Sequence, residues 1–484
     1  MSPILIGAVI GGYFLMLIAI SWFTNRNTDD KSFYLGNRQA PWYLISFGMI
    51  GASLSGVTFI SVPGVVGNIG HINGQFSYLQ VVMGYFVGYI VIARVLLPIY
   101  YNLNLVSIYG YLEQRFGYWS YKTGSAFFLL SRLIGSSFRL FLTAGVLHHF
   151  IFSPMGVPFW LTVAVTIVLI YIYTFKGGIK TIIYTDTIQT AVMLAALGLT
   201  IYMMMSNLDM SVSELFVQLK EKNLSKMFFW DSSPRNFWKQ FGSGFLIALV
   251  MTGLDQDMMQ KNLSCKNLKE AQKNLYTLSF TMIVVTSVFV IFGGLLYLYA
   301  WQKGIAIPEK TDLLYPVVAL EHFGGAVGIL FIIGLIAAAY SSADSTLTAL
   351  TTAFVVDFLD FEKKGEDKKT RSYVHIGFAF ITFLMIIAFD LVNDDSVITN
   401  IFKAAGFTYG PLLGLFAFGI ASKRQIKDNW VPIICISSML FSFVLNAQAA
   451  NWFNGYKIGF EILFYNGLLT FIGLWLSSYK QKQD

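Results

Sequence analysis

The sequence predicts an all-α integral membrane protein with about thirteen transmembrane helices, and three observations carry that prediction. Apolar residues make up 56% of the 484 residues and charged residues only 12%, against about 25% charged in soluble domains. Runs of roughly 20 apolar residues recur along the whole chain between short polar loops, the length an α-helix needs to cross a bilayer. Lys and Arg are segregated between alternate loops. The chain reads as one transmembrane domain over 1–484.

In chain order the spans run near 3–24, 42–67, 76–101, 123–148, 158–175, 181–205, 237–253, 274–300, 324–356, 374–392, 399–421, 431–447 and 455–478. The first, Pro3 to Phe23, has no basic segment before its apolar run; Arg26 follows it. A cleavable leader is built the other way round, so this reads as a retained helix whose N-terminus lies outside. The inner loops then carry Arg26, Lys31, Arg38, Arg115, Lys122, Lys176, Lys180, Lys261, Lys266, Lys269 and Lys273. They continue with Lys363, Lys364, Lys368, Lys369, Arg371, Lys423, Arg424, Lys427, Lys480 and Lys482. The outer loops hold only Lys220, Lys222, Lys226, Arg235, Lys303 and Lys310. That asymmetry predicts a multi-pass protein of the plasma (inner) membrane with its N-terminus outside and its C-terminus in the cytoplasm. The net charge of +7 is thereby assigned to topology, and no nucleic-acid partner is expected; the partner is the lipid bilayer.

Two spans look broken. The second holds Gly48, Gly51, Gly56, Pro63 and Gly64 with Ser53, Ser55, Thr58 and Ser61 between them. The seventh opens Phe241-Gly-Ser-Gly-Phe245 and leaves through Met251-Thr-Gly-Leu-Asp255. With the second span as core helix 1, these are core helices 1 and 6, at matching positions of two five-helix halves. Paired interruptions of that kind point to a midplane site in an inverted-repeat transporter; the plainer alternative is glycine serving close helix packing. The halves fall at 42–205 and 237–421, with 3–24 as an extra N-terminal helix and 431–478 as peripheral C-terminal helices.

The ninth span, core helix 8, turns hydroxyl-rich at membrane depth. Ser341, Ser345, Thr348 and Thr352 share one face, Asp344 joins it, and Ala337, Ala338, Ala339 and Ala343 admit a close neighbour. Hydroxyls alone would serve as glue between helices, but a carboxylate at that depth is costly and faces water or a partner. Together they are hard oxygen donors suited to a small cation. In core helix 5, Asp186 shares a side with Thr185 and Gln189, either paired with a lysine at the interface or marking a second cation site. Core helix 3 carries Arg132, which either snorkels or meets a carboxylate, and Arg139. Arg139 suits a planar anionic group of a solute, or pairs with Asp186 or Asp344. The stretch from Asp255 to Ala271 reads as a polar cytoplasmic connector with solvated charges.

Other chemistries find no support in the sequence. Cys265 and Cys435 carry no motif, no GxxxxGK[ST] loop is present, and no enzyme constellation is visible.

Gly177-Gly-Ile-Lys with Thr185-Asp186 and Gln189 resembles the sodium/solute symporter family. So do Asp255-Gln256 with Gln260, Ser341-Ser342, and Gly406-Phe-Thr-Tyr-Gly-Pro-Leu-Leu-Gly414. The resemblance runs from Tyr34-Leu-Gly-Asn-Arg38 to about Gly419. It implies the five-plus-five inverted-repeat fold and sodium-coupled symport of a small organic solute by a chain that works as a monomer. For the main sodium ion it implies the carbonyls of Gly51, Leu54 and Ala338 with the hydroxyls of Ser341 and Ser342. For a second sodium it implies Asp186, Ser342 and Ser345, with Asp344 added. Ala248 to Met251 lack the Asn and Tyr of the sugar-carrying branch, and Val57-Thr58 stand where that branch has a Glu-Gln pair. The chain is more similar to the anion-carrying branches, with Ser55, Thr58 and Arg139 as candidate solute contacts. Proton-coupled symport, a channel and a sensor are the rival readings.

Overall fold

The computed structural model describes residues 3–24, 35–174, 178–361, 368–391 and 397–479. Tyr34 and Gly177 of the family-like motifs lie outside these residues, as do the basic Arg26, Lys31, Lys176, Lys363, Lys364, Lys480 and Lys482. Among the described residues the structure is helical, with one antiparallel pair of two-residue strands, Gln425–Ile426 and Ser478–Tyr479. Nine of the described helices are long and apolar enough to cross a membrane, or ten if one bent pair is a single span.

In chain order the helices are α1 (Pro3–Thr24), α2 (Trp42–Val65), α3 (Tyr78–Asn102), α4 (Tyr118–Leu147), α5 (Phe159–Thr174) and α6 (Gly178–Asn207). Then come α7 (Phe237–Ala248), α8 (Gln256–Leu263), α9 (Leu268–Lys303), α10 (Gly325–Asp357) and α11 (Lys368–Asp390). The last are α12 (Val397–Thr408), α13 (Gly410–Ala421), α14 (Val431–Trp452) and α15 (Ile462–Leu476). The long helices are apolar over most of their surface, as expected where lipid or protein surrounds them, while α4 and α10 also carry buried polar residues. Burial separates centre from rim: within an apolar 18-residue stretch of each helix, 89% of the residues of α2 and 78% of those of α10 are inside the protein, against 22% for α11 and for α14. The central helix α10 packs on α6, α2 and α4.

Small residues set the closest approaches. A Cβ on Gly84 of α3 would overlap the Phe241 carbonyl, and one on Gly244 of α7 would overlap the Val81 carbonyl. These backbones therefore touch at the Gly-Ser-Gly stretch, which is regular helix and not a break. Because the obstructing atoms are backbone, Gly244→Val is expected to destabilise the fold by about 3 kcal/mol. A lowered melting temperature and loss of the monodisperse peak in detergent check this, and an unchanged melting curve contradicts it.

Three helices are interrupted. In α2 the break is at Ser55, with φ 56° and ψ 178°, buried and far from helical geometry. Pro63 stays within the helix. A non-glycine residue held in that region stores strain and tends to sit at a functional point. The chain leaving α7 passes through a π-helical turn, Leu249–Gly253, and breaks at Leu254-Asp255 before resuming as α8. Helices α12 and α13 bend by 46°, a break the sequence reading missed. Pro411, next to the bend, has no N–H to continue the ladder.

The connector reading of 255–271 is corrected for its first part. Asp255, Gln256, Asp257, Gln260 and Lys261 are at most 1% exposed. They form the second half of a broken helix, and their charges are satisfied inside the protein. Hydropathy alone places such a segment in water; its buried partners sit on other helices.

Candidate functional site

The hydroxyl face of α10 lies against the two interrupted elements and α6. Ser341 Oγ donates to Asp186 Oδ1 at 2.9 Å. Ser345 Oγ donates to Asp257 Oδ2 at 3.2 Å, and Gln260 Nε2 reaches Thr352 Oγ1 at 3.5 Å. So α6 receives one end of the face and α8 the other. Ser342 Oγ turns back to the Ala339 carbonyl at 3.0 Å.

Gly51 of α2 stands beside Ser341: a Cβ built on it would lie 3.4 Å from Ser341 Oγ and would overlap Thr190 Oγ1. The Gly51 N–H donates to that Thr190 oxygen at 3.1 Å. The close approach of α2 to α6 and α10 therefore depends on this glycine. Leu54 is the last helical residue before the break at Ser55. A break there releases carbonyls of the preceding turn from their ladder partners. Gly51 and Ser341 are thus neighbours across this approach, and Leu54, Ala338 and Ser342 are buried with them.

The residues expected around a second cation do not meet at one point. Asp186 Oδ2 accepts from Lys261 Nζ at 2.8 Å, and the same ammonium is 3.8 Å from Asp257 Oδ1. The partner of Asp186 is thus a deeply buried lysine of α8, not one at the interface. Ser345 faces Asp257. One Asp344 oxygen takes the Ser345 N–H at 2.5 Å, and the other lacks a hydrogen-bond partner.

Arg132 is resolved as the partner of carboxylates. It pairs with Asp257 and stands 3.5 Å from Asp255. Asp255 caps α8 by accepting from the Met258 N–H at 3.2 Å, and it accepts from Tyr409 Oη at 2.6 Å. Tyr409 lies at the bend between α12 and α13, so two of the interruptions meet at one carboxylate. Sequence reasoning missed Asp255, Asp257, Lys261 and Tyr409. The available signal was Asp257 and Lys261 at i, i+4 with Arg132 unmatched in a span.

Seven residues along α4 from Arg132, Arg139 makes no ion pair among the described residues, and its Nη1 lacks any hydrogen-bond partner while the residue is 7% exposed. It lines a cavity of about 70 Å³ with Ser53, Ser55 and Thr58 of α2, Tyr78 and Tyr85 of α3, and Met251 after α7. Tyr78 stacks on Phe402 of α12 at 6.5 Å, closing one side. The three candidate solute contacts, Ser55, Thr58 and Arg139, therefore share one cavity. Next to it lies the Ser55 break, so a change at one is felt at the other.

The profile of the Sodium:solute symporter family matches residues 33–428. The chain is 26% identical to the Sodium/sialic acid symporter NanT of Aliivibrio fischeri over 471 residues, covering 94% of this chain and 90% of that one. It is 25% identical to the Sodium-coupled monocarboxylate transporter 1 of Mus musculus, covering 86% of this chain and 67% of the relative. Among solved structures, a substrate-bound, outward-open Na+-coupled sialic acid symporter superposes with a TM-score of 0.81. The two are 21% identical, and the superposition covers 98% of this chain and 99% of that one. The nucleobase-cation-symport-1 family transporter Mhp1 in a closed conformation follows at 0.55 and 13% identity, covering 92% and 94% of the two chains.

Proposed function

The chain belongs to the Sodium:solute symporter family, and from that premise we propose that it carries a small organic carboxylate inward with sodium by alternating access. Sodium coupling and symport come with the family; the carboxylate is the further step. One observation carries it: Arg139, a buried guanidinium with a free donor, faces the cavity beside the break in α2 while every neighbouring acid has another partner or faces elsewhere. A buried charge without a counter-ion is expensive, and a carboxylate fits the fork of a guanidinium. Asp186, one alternative partner for Arg139, is held by Lys261. Relatives named for sialic acid and for monocarboxylates support the same reading.

In this proposal the main sodium is held by the carbonyls of Gly51, Leu54 and Ala338 and the hydroxyls of Ser341 and Ser342. The ion joins α10 to the interrupted α2, a contact made in one conformation and lost in another, so sodium shifts the population. A second sodium at Asp186, Ser342, Asp344 and Ser345 is also part of the reading, and in this conformation Asp186 is engaged by the Lys261 ammonium. A second sodium there would first have to displace it. The reading also includes thirteen spans in a five-plus-five inverted repeat and a working monomer. It places the protein in the plasma (inner) membrane with the N-terminus outside.

Uptake into proteoliposomes under an inward sodium gradient tests the proposal. The solutes are a short monocarboxylate, a sialic acid, a neutral hexose and a neutral amino acid. A carboxylate should accumulate at least about tenfold over the same vesicles with choline in place of sodium. One sodium entering with one monocarboxylate moves no net charge, so the driving force is the sodium gradient itself, about 1.4 kcal/mol for a tenfold difference in concentration. Uptake that persists in choline and follows a proton gradient would favour proton coupling, and accumulation of the hexose alone would favour the sugar reading.

A further inference from the structure

We infer that the membrane face of the protein carries a site for one anionic phospholipid, with an acyl chain in a groove between α5 and α11 and the headgroup phosphate at Lys369. The site lies away from the ion and solute positions, and the inference does not depend on which solute is carried.

The groove has a volume of about 410 Å³, within the roughly 300–1,000 Å³ typical of small-molecule sites. Each helix gives it residues at i, i+3, i+4 and i+7, one helical face. Ala164, Ile167 and Ala379 form the floor, and the two small alanines give it depth. Val168, Ile376 and Phe380 form the rim, each about half exposed. The ring of His375, next to Ile376, is 5.5 Å from that of Tyr171. The C-terminal end of α5 therefore meets the N-terminal end of α11, and Tyr171 and Ile376 close the same end of the groove. Phe383 stands toward the other end, its ring 6.4 Å from that of Phe380.

Hydrocarbon alone gives such a groove no preference, because lipid tails are as apolar as its walls. The choice of lipid is made at the end where polar groups stand. Lys369 lies seven residues, two turns, before Ile376 and so stands on the groove face of α11, with Ser372 and Tyr373 between them on the same side. Lys369 is exposed, and Tyr373 is 72% exposed. Arg371 adds a second positive charge to the first turn of α11, which holds no acidic residue. The ammonium and the two hydroxyls are donors suited to a phosphate, and two cations favour a headgroup with net negative charge over a zwitterionic one. A tyrosine beside them fits the water–lipid interface, where such rings collect. In the topology proposed above this is the cytoplasmic end, on the side of the negatively charged leaflet.

Behind the groove the same two helices hold α10. His375 of α11 is 4% exposed, with Nδ1 2.9 Å from Thr351 Oγ1 of α10 and Nε2 3.3 Å from Thr174 Oγ1 of α5. An acyl chain seated against Tyr171 and Ile376 braces α5 and α11 at the height of this three-helix contact. The lipid thereby supports α10, the helix of Ser341 and Ser342, and its binding should stabilise the folded protein.

Native mass spectrometry of the purified full-length protein in detergent decides it, with phosphatidylglycerol and phosphatidylcholine of identical chains added in equal amounts. Wild type should retain one phosphatidylglycerol in preference to phosphatidylcholine, and its melting temperature should rise by several degrees more with the first lipid than with the second. Lys369→Gln should weaken phosphatidylglycerol binding about fivefold, the equivalent of about 1 kcal/mol for one lysine at an anionic headgroup. Ala164→Phe, which fills the groove and leaves the charges in place, should lower retention of that lipid as well. Equal retention of the two lipids by wild type, or phosphatidylglycerol retention unaltered in both variants, would overturn the inference. Loss with Lys369→Gln but not with Ala164→Phe would reject the groove as the place of the chain. A wild-type dimer that Ala164→Phe splits into monomers would overturn it too, by making the groove an interface between two copies. If Ala164→Phe does not yield folded protein, Lys369→Gln combined with Arg371→Gln decides: an unchanged preference for phosphatidylglycerol rejects the site.

Discussion

Ser341→Ala should raise the sodium concentration for half-maximal uptake about tenfold or abolish uptake, since a lost ligand to a buried ion costs roughly 1.5–3 kcal/mol. The serine is fully buried between α6 and α2, within reach of Gly51 and hydrogen-bonded to Asp186. Its hydroxyl hydrogen goes to Asp186, which leaves the oxygen lone pairs for the ion. Alanine keeps the helix and removes only that oxygen, so insertion should be normal. Ser342→Ala should act in the same direction. Its hydroxyl hydrogen already goes to the Ala339 carbonyl within the helix, so its loss leaves no charged partner stranded and the effect should be smaller. Sodium titration of initial uptake rates at fixed solute reads both. Sodium dependence identical to wild type in the two variants would place the ion elsewhere. Reduced surface expression with an unchanged half-saturating sodium concentration would make these serines packing residues only.

The second large effect is expected at Arg139. Arg139→Lys should raise the half-saturating solute concentration by about a hundredfold. A point-charge ammonium cannot reproduce two parallel N–H bonds to a carboxylate, and charged hydrogen bonds of this kind are worth several kcal/mol when buried. Sodium binding measured without solute should stay nearly as in wild type, because Arg139 makes no ion pair with the acids near the ion sites. Equal losses in solute affinity and in solute-free sodium binding would instead make Arg139 part of the charge network. The neighbouring arginine is the control. Arg132→Lys disturbs the pair with Asp257 and the contact with Asp255, so it should impair folding before it alters solute choice.

Alternating access gives these residues a common logic. In the proposed mechanism the cation joins α10 to the interrupted α2, while the candidate solute contacts Ser55 and Thr58 lie at that same interruption and line one cavity with Arg139 of α4. Whatever sodium adds to solute affinity, solute adds to sodium affinity. A strained, non-helical Ser55 placed between the two ligands is where such coupling is expected to be felt.

The membrane-spanning, all-helical nature of this protein and the family to which it belongs were legible in the sequence by itself. Both rest on local quantities: runs of apolar residues long enough to cross a bilayer, and short motifs in a fixed order. The hydroxyl face of α10 was equally legible, because helical periodicity alone places Ser341, Ser345, Thr348 and Thr352 together. Partnership was decided only by the tertiary structure. Nothing within α8 indicates that Asp257 and Lys261 are buried, since their counter-charges, Arg132 and Asp186, are 125 and 75 residues away in the chain. The position of the α2 break was likewise hidden. Four glycines and a proline offer several places to interrupt that helix, and packing against α6, α9 and α10 selects Ser55. Asp344 shows the division most plainly. Its side of the helix follows from a 3.6-residue repeat, but its complete burial, with one carboxylate oxygen left without a hydrogen-bond partner, follows only from the helices packed around α10.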